Sequence, residues 1–298
     1  FEKAAKLRDA VGYYNLGNLY FYGHGVEKNY KKAIDYYELA AKQNYSNAYL
    51  SLGNIYRNGN GVEQSYPESK KYFEFAAQLN NPFAFYFLGD YYSSGDFFDI
   101  DLEKAIVNFE KCSEIHNFND QINCYSSNST MSTPRYNFFC YRAMNDLGLL
   151  YLLFYDDIKN AYEYIKESAF GEYPFGQNNY GLLNQFYNGN INNVEYYYDK
   201  SSKSKFALAF YNLGFLKEST NNKIDDAIPY YIQASEYENQ PLIFKNIEHN
   251  DKRLNISKTF IICFTNLKLV DYYIEKEKYE DAKKYFNKSF SKIKSESY

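Results

Sequence analysis

A glycine that returns at fixed intervals most constrains what this chain can fold into. Leu16-Gly17, Leu52-Gly53 and Leu88-Gly89 are spaced at 36 and 36 residues. Leu147-Gly148 follows after 59, then Tyr180-Gly181 and Leu213-Gly214 after 33 and 33. The 59 equals one repeat plus an insertion of about 23 residues. Five residues before each glycine sits a small residue: Gly12, Ala48, Ala84, Ala143, Gly176 and Ala209. Glycine inside a helix costs about 1 kcal/mol relative to alanine. Accepting that cost repeatedly at one register implies two helices so close that a Cβ would collide.

A second element follows each glycine. It reads Ala33, Tyr37, Ala40, Ala41, then Ser69, Phe73, Ala76, Ala77, then Ala105, Phe109, Cys112, Ser113. Steps of four, three and one place these residues on one face of a helix. Each unit is therefore expected to be two antiparallel helices. The connection repeats as Gly23-His24-Gly25-Val26 and Gly59-Asn60-Gly61-Val62, and Gly95 keeps its first position. These glycines read as left-handed turn residues. They lack the Lys and Ser/Thr of a phosphate-binding loop. Asn44, Asn80 and Gly171 stand where second helices are expected to stop.

Leu16-Gly17 with Tyr20, Gly23 to Val26, Lys32-Ala33-Ile34 with Tyr36-Tyr37, and Ala40-Ala41 resemble the Sel1-like repeat, a relative of the tetratricopeptide repeat. The resemblance implies an all-α, right-handed α-solenoid of about seven helix pairs. From the motif glycine to the small residue of the second helix the gap is 16 in the first three units. It is 13 from Gly148 to Ala161 and from Gly214 to Ala227. In the last unit Leu269-Val270 takes the motif position, with Tyr273, Tyr279, Ala282 and Phe286 following at tetratricopeptide-like spacing.

The repeats are expected at about 10–43, 46–79, 82–115, 138–171, 174–204, 205–237 and 258–292, forming a single domain over 1–298. An insertion at about 116–137 reads as a polar surface loop, and a second insertion of similar size lies at about 238–257. Phe1 to Ala5 aligns with Tyr37 to Ala41, so residues 1–9 read as a partial leading helix of a longer chain.

No residue set points to catalysis, a cofactor or a metal. His24 sits in a turn, at a position taken by Asn60 in the next unit. Cys112, His116, Cys124 and Cys140 lack a Cys-x-x-Cys pair, and Cys112 occupies a small-residue position of a helix face. No Gly-x-Ser-x-Gly or His-Glu-x-x-His motif occurs. Asp99 and Asp101 read as solvated charges or helix caps. Thr133-Pro134 could accept a phosphate. Sequons at Asn44, Asn128, Asn255 and Asn287 match what an Asn-rich composition produces by chance. The four cysteines show no regular pairing, which favours a reducing, cytoplasmic setting. Net charge is −4 with both signs interleaved, which argues against a nucleic-acid partner. No apolar run reaches the roughly 18 residues of a membrane span.

The Sel1-like resemblance implies a protein-interaction scaffold whose first helices line a concave groove. Transferring the tetratricopeptide register, positions three before and one after the motif glycine face a protein or peptide partner. They are Tyr14 and Asn18, Leu50 and Asn54, Tyr86 and Asp90, Asn145, and Tyr211, with Arg57 one turn on. Replacing Asn18, Asn54 and Tyr86 together is expected to abolish capture. Alternatives are the repeat region of a larger enzyme such as a protein kinase, or an adaptor in endoplasmic-reticulum protein degradation. Secreted, cysteine-rich Sel1-like proteins carry a disulfide in each repeat, which the cysteines here contradict.

Overall fold

The structure, a computed structural model, describes residues 9–95, 97–123, 134–188, 191–221, 223–237, 269–270, 272–278 and 280–287. Among the described residues there is no strand. Helices follow as α1 (Ala10–Tyr22), α2 (Tyr30–Ala41), α3 (Ser46–Asn58), α4 (Tyr66–Gln78), α5 (Pro82–Ser94), α6 (Leu102–Asn123), α7 (Pro134–Phe154), α8 (Ile158–Phe170), α9 (Pro174–Leu183), α10 (Ile191–Ser202), α11 (Ala207–Asn221) and α12 (Ile224–Glu236). A π-helical turn, Asn184–Asn188, continues α9. Among the described residues no helix is long and apolar enough to cross a membrane.

The chain divides into two compact units, Phe1–Ala161 and Tyr162–Tyr298. In the first, the second-helix stripes are buried as their spacing requires. Ala33, Ala40, Ser69, Phe73, Ala76, Ala105 and Cys112 are all fully buried. One core cluster joins Ala33, Tyr37, Ala40 and Ala41 to Ala48, Leu52 and Ile55 of the next helix. Small residues on both partners bring the backbones together, and the aromatic ring fills the remaining space. In the second unit Val194 and Tyr198 pack with Leu213 and Leu216. Farther on, Ala227, Ile228 and Tyr231 pack with Leu269, Val270 and Tyr285.

Polar side chains start the helices. Asp9, Asn29, Ser65, Asn81 and Asp101 each accept a backbone N–H of the first turn. Gly59 ends α3 at φ +69°, where a Cβ would be strained, and its N–H returns to the Ile55 carbonyl. Asn44 and Asn80 take left-handed φ angles of +59° and +55°. In the fourth unit the left-handed residue is Glu172 at φ +62°, not the expected Gly171. The hydrogen bond decides this. Asn44, Asn80, Glu172 and Lys205 each donate to the carbonyl three residues back, on Ala41, Ala77, Ala169 and Ser202. Register from the last small residue outweighs glycine's permissiveness.

Two further expectations change. The insertion expected as loop from 116 is helical to Asn123, and helix resumes at Pro134. No glycine or proline lies between 116 and 133 to end the helix, and Pro134 suits a first helical turn. Residues 124–133 lie outside the described residues, as do 1–8 and 238–268. In the last unit Tyr285 is 6 % exposed and stacks on Tyr273, whereas Phe286 is 52 % exposed. With Ala282 buried, position i+3 turns inward and i+4 outward.

Candidate binding face of the first helices

The motif glycine seats an aromatic ring. A Cβ on Gly17 would lie 2.5 Å from Tyr37 Cε1, and one on Gly53 would lie 2.5 Å from Phe73 Cε1. Gly89 meets Phe109, Gly181 meets Tyr198 and Gly214 meets Tyr231 at 2.6–2.7 Å in the same way. In these five repeats the ring of the second helix lies on the backbone of its own first helix. What its para position carries then decides which groups of that first helix are occupied.

In the first repeat the Tyr37 hydroxyl donates to Asn18 Oδ1 at 2.8 Å. Burial pushes the Tyr37 hydroxyl far above the usual range, so it remains a donor. Phe73 holds the same ring position in the second repeat but has no hydroxyl. Asn54, the counterpart of Asn18, is half-buried and has no hydrogen-bond partner among the described residues. One turn on, Arg57 is 7 % exposed. Its Nη2 donates to Asp90 Oδ2 at 3.1 Å, across to α5. The guanidinium lies 4.9 Å from the Phe87 ring centre and 5.4 Å from that of Tyr91. Its buried Nη1 has no hydrogen-bond partner. Burial pushes the Tyr91 hydroxyl up to about 12, and it shares a 2.9 Å hydrogen bond with Ser69.

The other expected face residues divide. Tyr14 is half-buried against Tyr37 and Tyr45, and Leu50 is half-buried on α3. Tyr86, expected to face a partner, is instead 1 % exposed. The cause is α7, which starts 14 residues before Gly148 rather than the 7 seen for α1, α3 and α5. Phe139, in the extra turns, and Arg142 lie 5.4 and 5.1 Å from the Tyr86 ring. Asn145 is 3 % exposed and donates to Asp146 Oδ1 at 3.1 Å. In the second unit Tyr211 is half-buried against Tyr231.

Sequence reasoning missed several polar partners in that unit. Tyr198 donates to Gln185 Oε1 at 2.8 Å and Tyr231 to Glu218 Oε2 at 2.6 Å. Both acceptors lie four residues after the motif glycine, against one for Asn18. The available signal was the glycine-to-tyrosine spacing, 17 here against 20 in the first repeats. Buried Asn212 donates to buried Asn178 at 2.8 Å, tying α11 to α9.

His24 stacks on Tyr22 in its turn. Asp101 caps α6, and its hydrogen bonds with Lys104 hold its carboxyl below the usual range. Among the described residues no three His, Cys, Asp or Glu side chains are placed to hold a metal ion. Cys112 and Cys140 are free, buried and 3.5 Å apart. Their mutual hydrogen bond and burial push the Cys112 thiol well up. Iodoacetamide is therefore expected to label neither thiol in the folded protein and both after unfolding, as read by peptide mass spectrometry.

These features define a helical-repeat protein of the tetratricopeptide-like class, with aromatic side chains seated on glycine. Residues 10–45, 46–81 and 82–114 match the Sel1 repeat family, so the chain carries three Sel1 repeats. Its fold is similar to that of c5321, a protective antigen of uropathogenic Escherichia coli strains displaying an SLR fold. The two are 21 % identical with a TM-score of 0.64, over 98 % of this chain and 63 % of that one. A Sel1 repeat protein from Oxalobacter formigenes is 22 % identical with a TM-score of 0.62, over 77 % of this chain and 89 % of that one. HcpC of Helicobacter pylori strain J99, named as a candidate beta-lactamase, is 62 % identical over 32 residues, 11 % of each chain. That stretch is about one repeat long, and the chain spans about a tenth of that relative's length.

Proposed function

We propose that this chain is a non-catalytic interaction scaffold that seats a peptide or protein segment on the groove face of its first helices. The supporting observation is the α1–α3–α5 face, where Tyr14, Leu50 and Asn54 are only half-buried and the Asn54 amide is unoccupied. Tyrosine and leucine offer apolar area there, and the amide offers a donor and an acceptor. The cytoplasmic setting belongs to the same reading and rests on the irregular cysteine spacing.

Random heptapeptides on an array test the face. The wild-type protein is expected to retain a subset, and Tyr14→Glu with Leu50→Glu is expected to lose it. Leu50 replaces Tyr86 in this test because Tyr86 is part of the core. Equal capture by a double variant with unchanged circular dichroism would sink the groove reading.

A further inference from the structure

The turn that closes the fourth repeat is shorter than those before it. In the first three repeats the N–H groups of Asn29, Ser65 and Asp101 return to the carbonyls of Tyr20, Tyr56 and Tyr92, nine residues back. In the fourth, the Asp157 N–H returns to the Tyr151 carbonyl, six residues back. Each of these carbonyls lies three residues after its motif glycine, so a shorter chain makes the same closure. Each longer turn carries a half-buried apolar residue, Val26, Val62 or Phe98, and the shorter one has no counterpart of it. Its own apolar residues, Leu153, Phe154 and Tyr155, are 69 %, 60 % and 47 % exposed. Three consecutive exposed apolar residues gain nothing for the isolated fold, and such a run marks a surface that another molecule covers.

The surrounding charge says what covers it. α6 runs antiparallel to α5, since Lys104 lies over Tyr92 and Phe109 lies against Gly89. α7 runs antiparallel to α6, since Glu110 accepts from Tyr151 and Cys112 lies against Cys140. The ends of α5 and α7 therefore lie at one end of the same compact unit. Segments 95–104 and 153–160 follow those ends, with six acidic residues against two lysines, a balance of −4 in 18 residues. The whole chain also totals −4, so the remainder balances to zero. Asp99 and Asp156 are exposed and have no ion-pair or hydrogen-bond partner among the described residues. Such a surface attracts a cationic chain and repels an anionic one.

We propose that this end of the first unit docks a basic amphipathic segment of a partner protein. The segment's apolar side chains cover Leu153, Phe154 and Tyr155, and its Lys or Arg side chains meet Asp99 and Asp156. The site lies at the helix ends and is independent of the groove reading above.

The test uses fluorescence anisotropy on the whole chain with labelled Lys/Leu, Lys/Ser and Glu/Leu peptides of equal length, about four helical turns each. Wild type is expected to bind the Lys/Leu peptide about tenfold tighter than either of the others, because it alone matches both the apolar run and the charge. Leu153→Ser with Phe154→Ser is expected to weaken that peptide by about tenfold or more. Asp99→Asn with Asp156→Asn weakens it by about threefold and flattens its salt dependence between about 50 and 500 mM. Asparagine tolerates the left-handed φ of +51° at position 156. Asp35→Asn with Glu74→Gln removes as much exposed charge from α2 and α4 and leaves binding unchanged. Tyr14→Glu with Leu50→Glu also leaves it unchanged.

If the Lys/Leu peptide binds no better than Lys/Ser, or the Leu153/Phe154 variant binds as wild type does, the docking surface is wrong. If the Asp35/Glu74 variant loses as much as the Asp99/Asp156 variant, the attraction is diffuse and the proposal is overturned. If wild type self-associates in analytical ultracentrifugation and the Leu153/Phe154 variant does not, the occupant is a second copy of this chain. If phosphatidylcholine vesicles sediment wild type but not that variant, the occupant is a lipid surface. Either result overturns the basic partner. Circular dichroism of each variant separates lost binding from lost folding.

Discussion

Gly53→Ala is expected to lower stability by about 2 kcal/mol or more, despite alanine's better helix propensity. The new Cβ would stand 2.5 Å from Phe73 Cε1 and 2.6 Å from Cδ1. The ring cannot retreat. It is fully buried and stacks on Phe87 with centroids 4.8 Å apart. Alanine returns about 1 kcal/mol of backbone preference, so the clash must exceed that for the sign to hold. For a unit of this size the loss reads as about 4–8 °C in the unfolding midpoint. Gly25→Ala is the control. Nothing lies within 4 Å of its Cβ, but its φ is +74°. It is expected to cost only the left-handed penalty, about 1–2 kcal/mol. Pairing Gly53→Ala with Phe73→Ala should cost less than the sum of the two, because the second change removes the obstacle. Strict additivity in urea unfolding would sink the ring-on-glycine account.

Asp90→Ala is expected to be as damaging, by about 2–4 kcal/mol. The side chains of Arg57 and Asp90 are 8 % and 16 % exposed, so the variant strands a positive charge between two aromatic rings. The rings offset part of this, since each cation–π contact contributes about 0.5–2 kcal/mol. The double variant Arg57→Met with Asp90→Leu should recover most of the loss, because an apolar pair has no charge to desolvate. Recovery on removing both partners, against loss on removing one, distinguishes a buried ion pair from a surface pair. Equal stability of Asp90→Ala and wild type in urea unfolding overturns this account.

Much of the fold was legible because its determinants are local. Ala33, Ala40 and Ala41, and their counterparts in the next two repeats, recur at helical spacing and are buried. The turn glycines recur with them at left-handed angles. The face residues were less legible. Register placed Tyr14, Leu50 and Asn54 on a partly open surface, but it placed Tyr86 and Asn145 there too, and both are buried. Nothing in the 82–94 segment announces this. Tyr86 is covered by α7, whose extra turns arise from an insertion about 50 residues downstream.

The recurring glycine and the paired helices it demands are readable from the chain alone. Backbone approach is set by residue size at fixed spacing, which repeats visibly. Which polar group meets which is set by the packing of the helices. Tyr37 reaches Asn18, Tyr198 reaches Gln185 and Tyr231 reaches Glu218, while Phe73 leaves Asn54 open. Arg57 finds Asp90 33 residues away. Those pairings depend on where a ring's edge falls along the facing helix, and a shift of three residues in the connection moves it by one turn. A hydroxyl present or absent at one para position then separates an occupied amide from an open one.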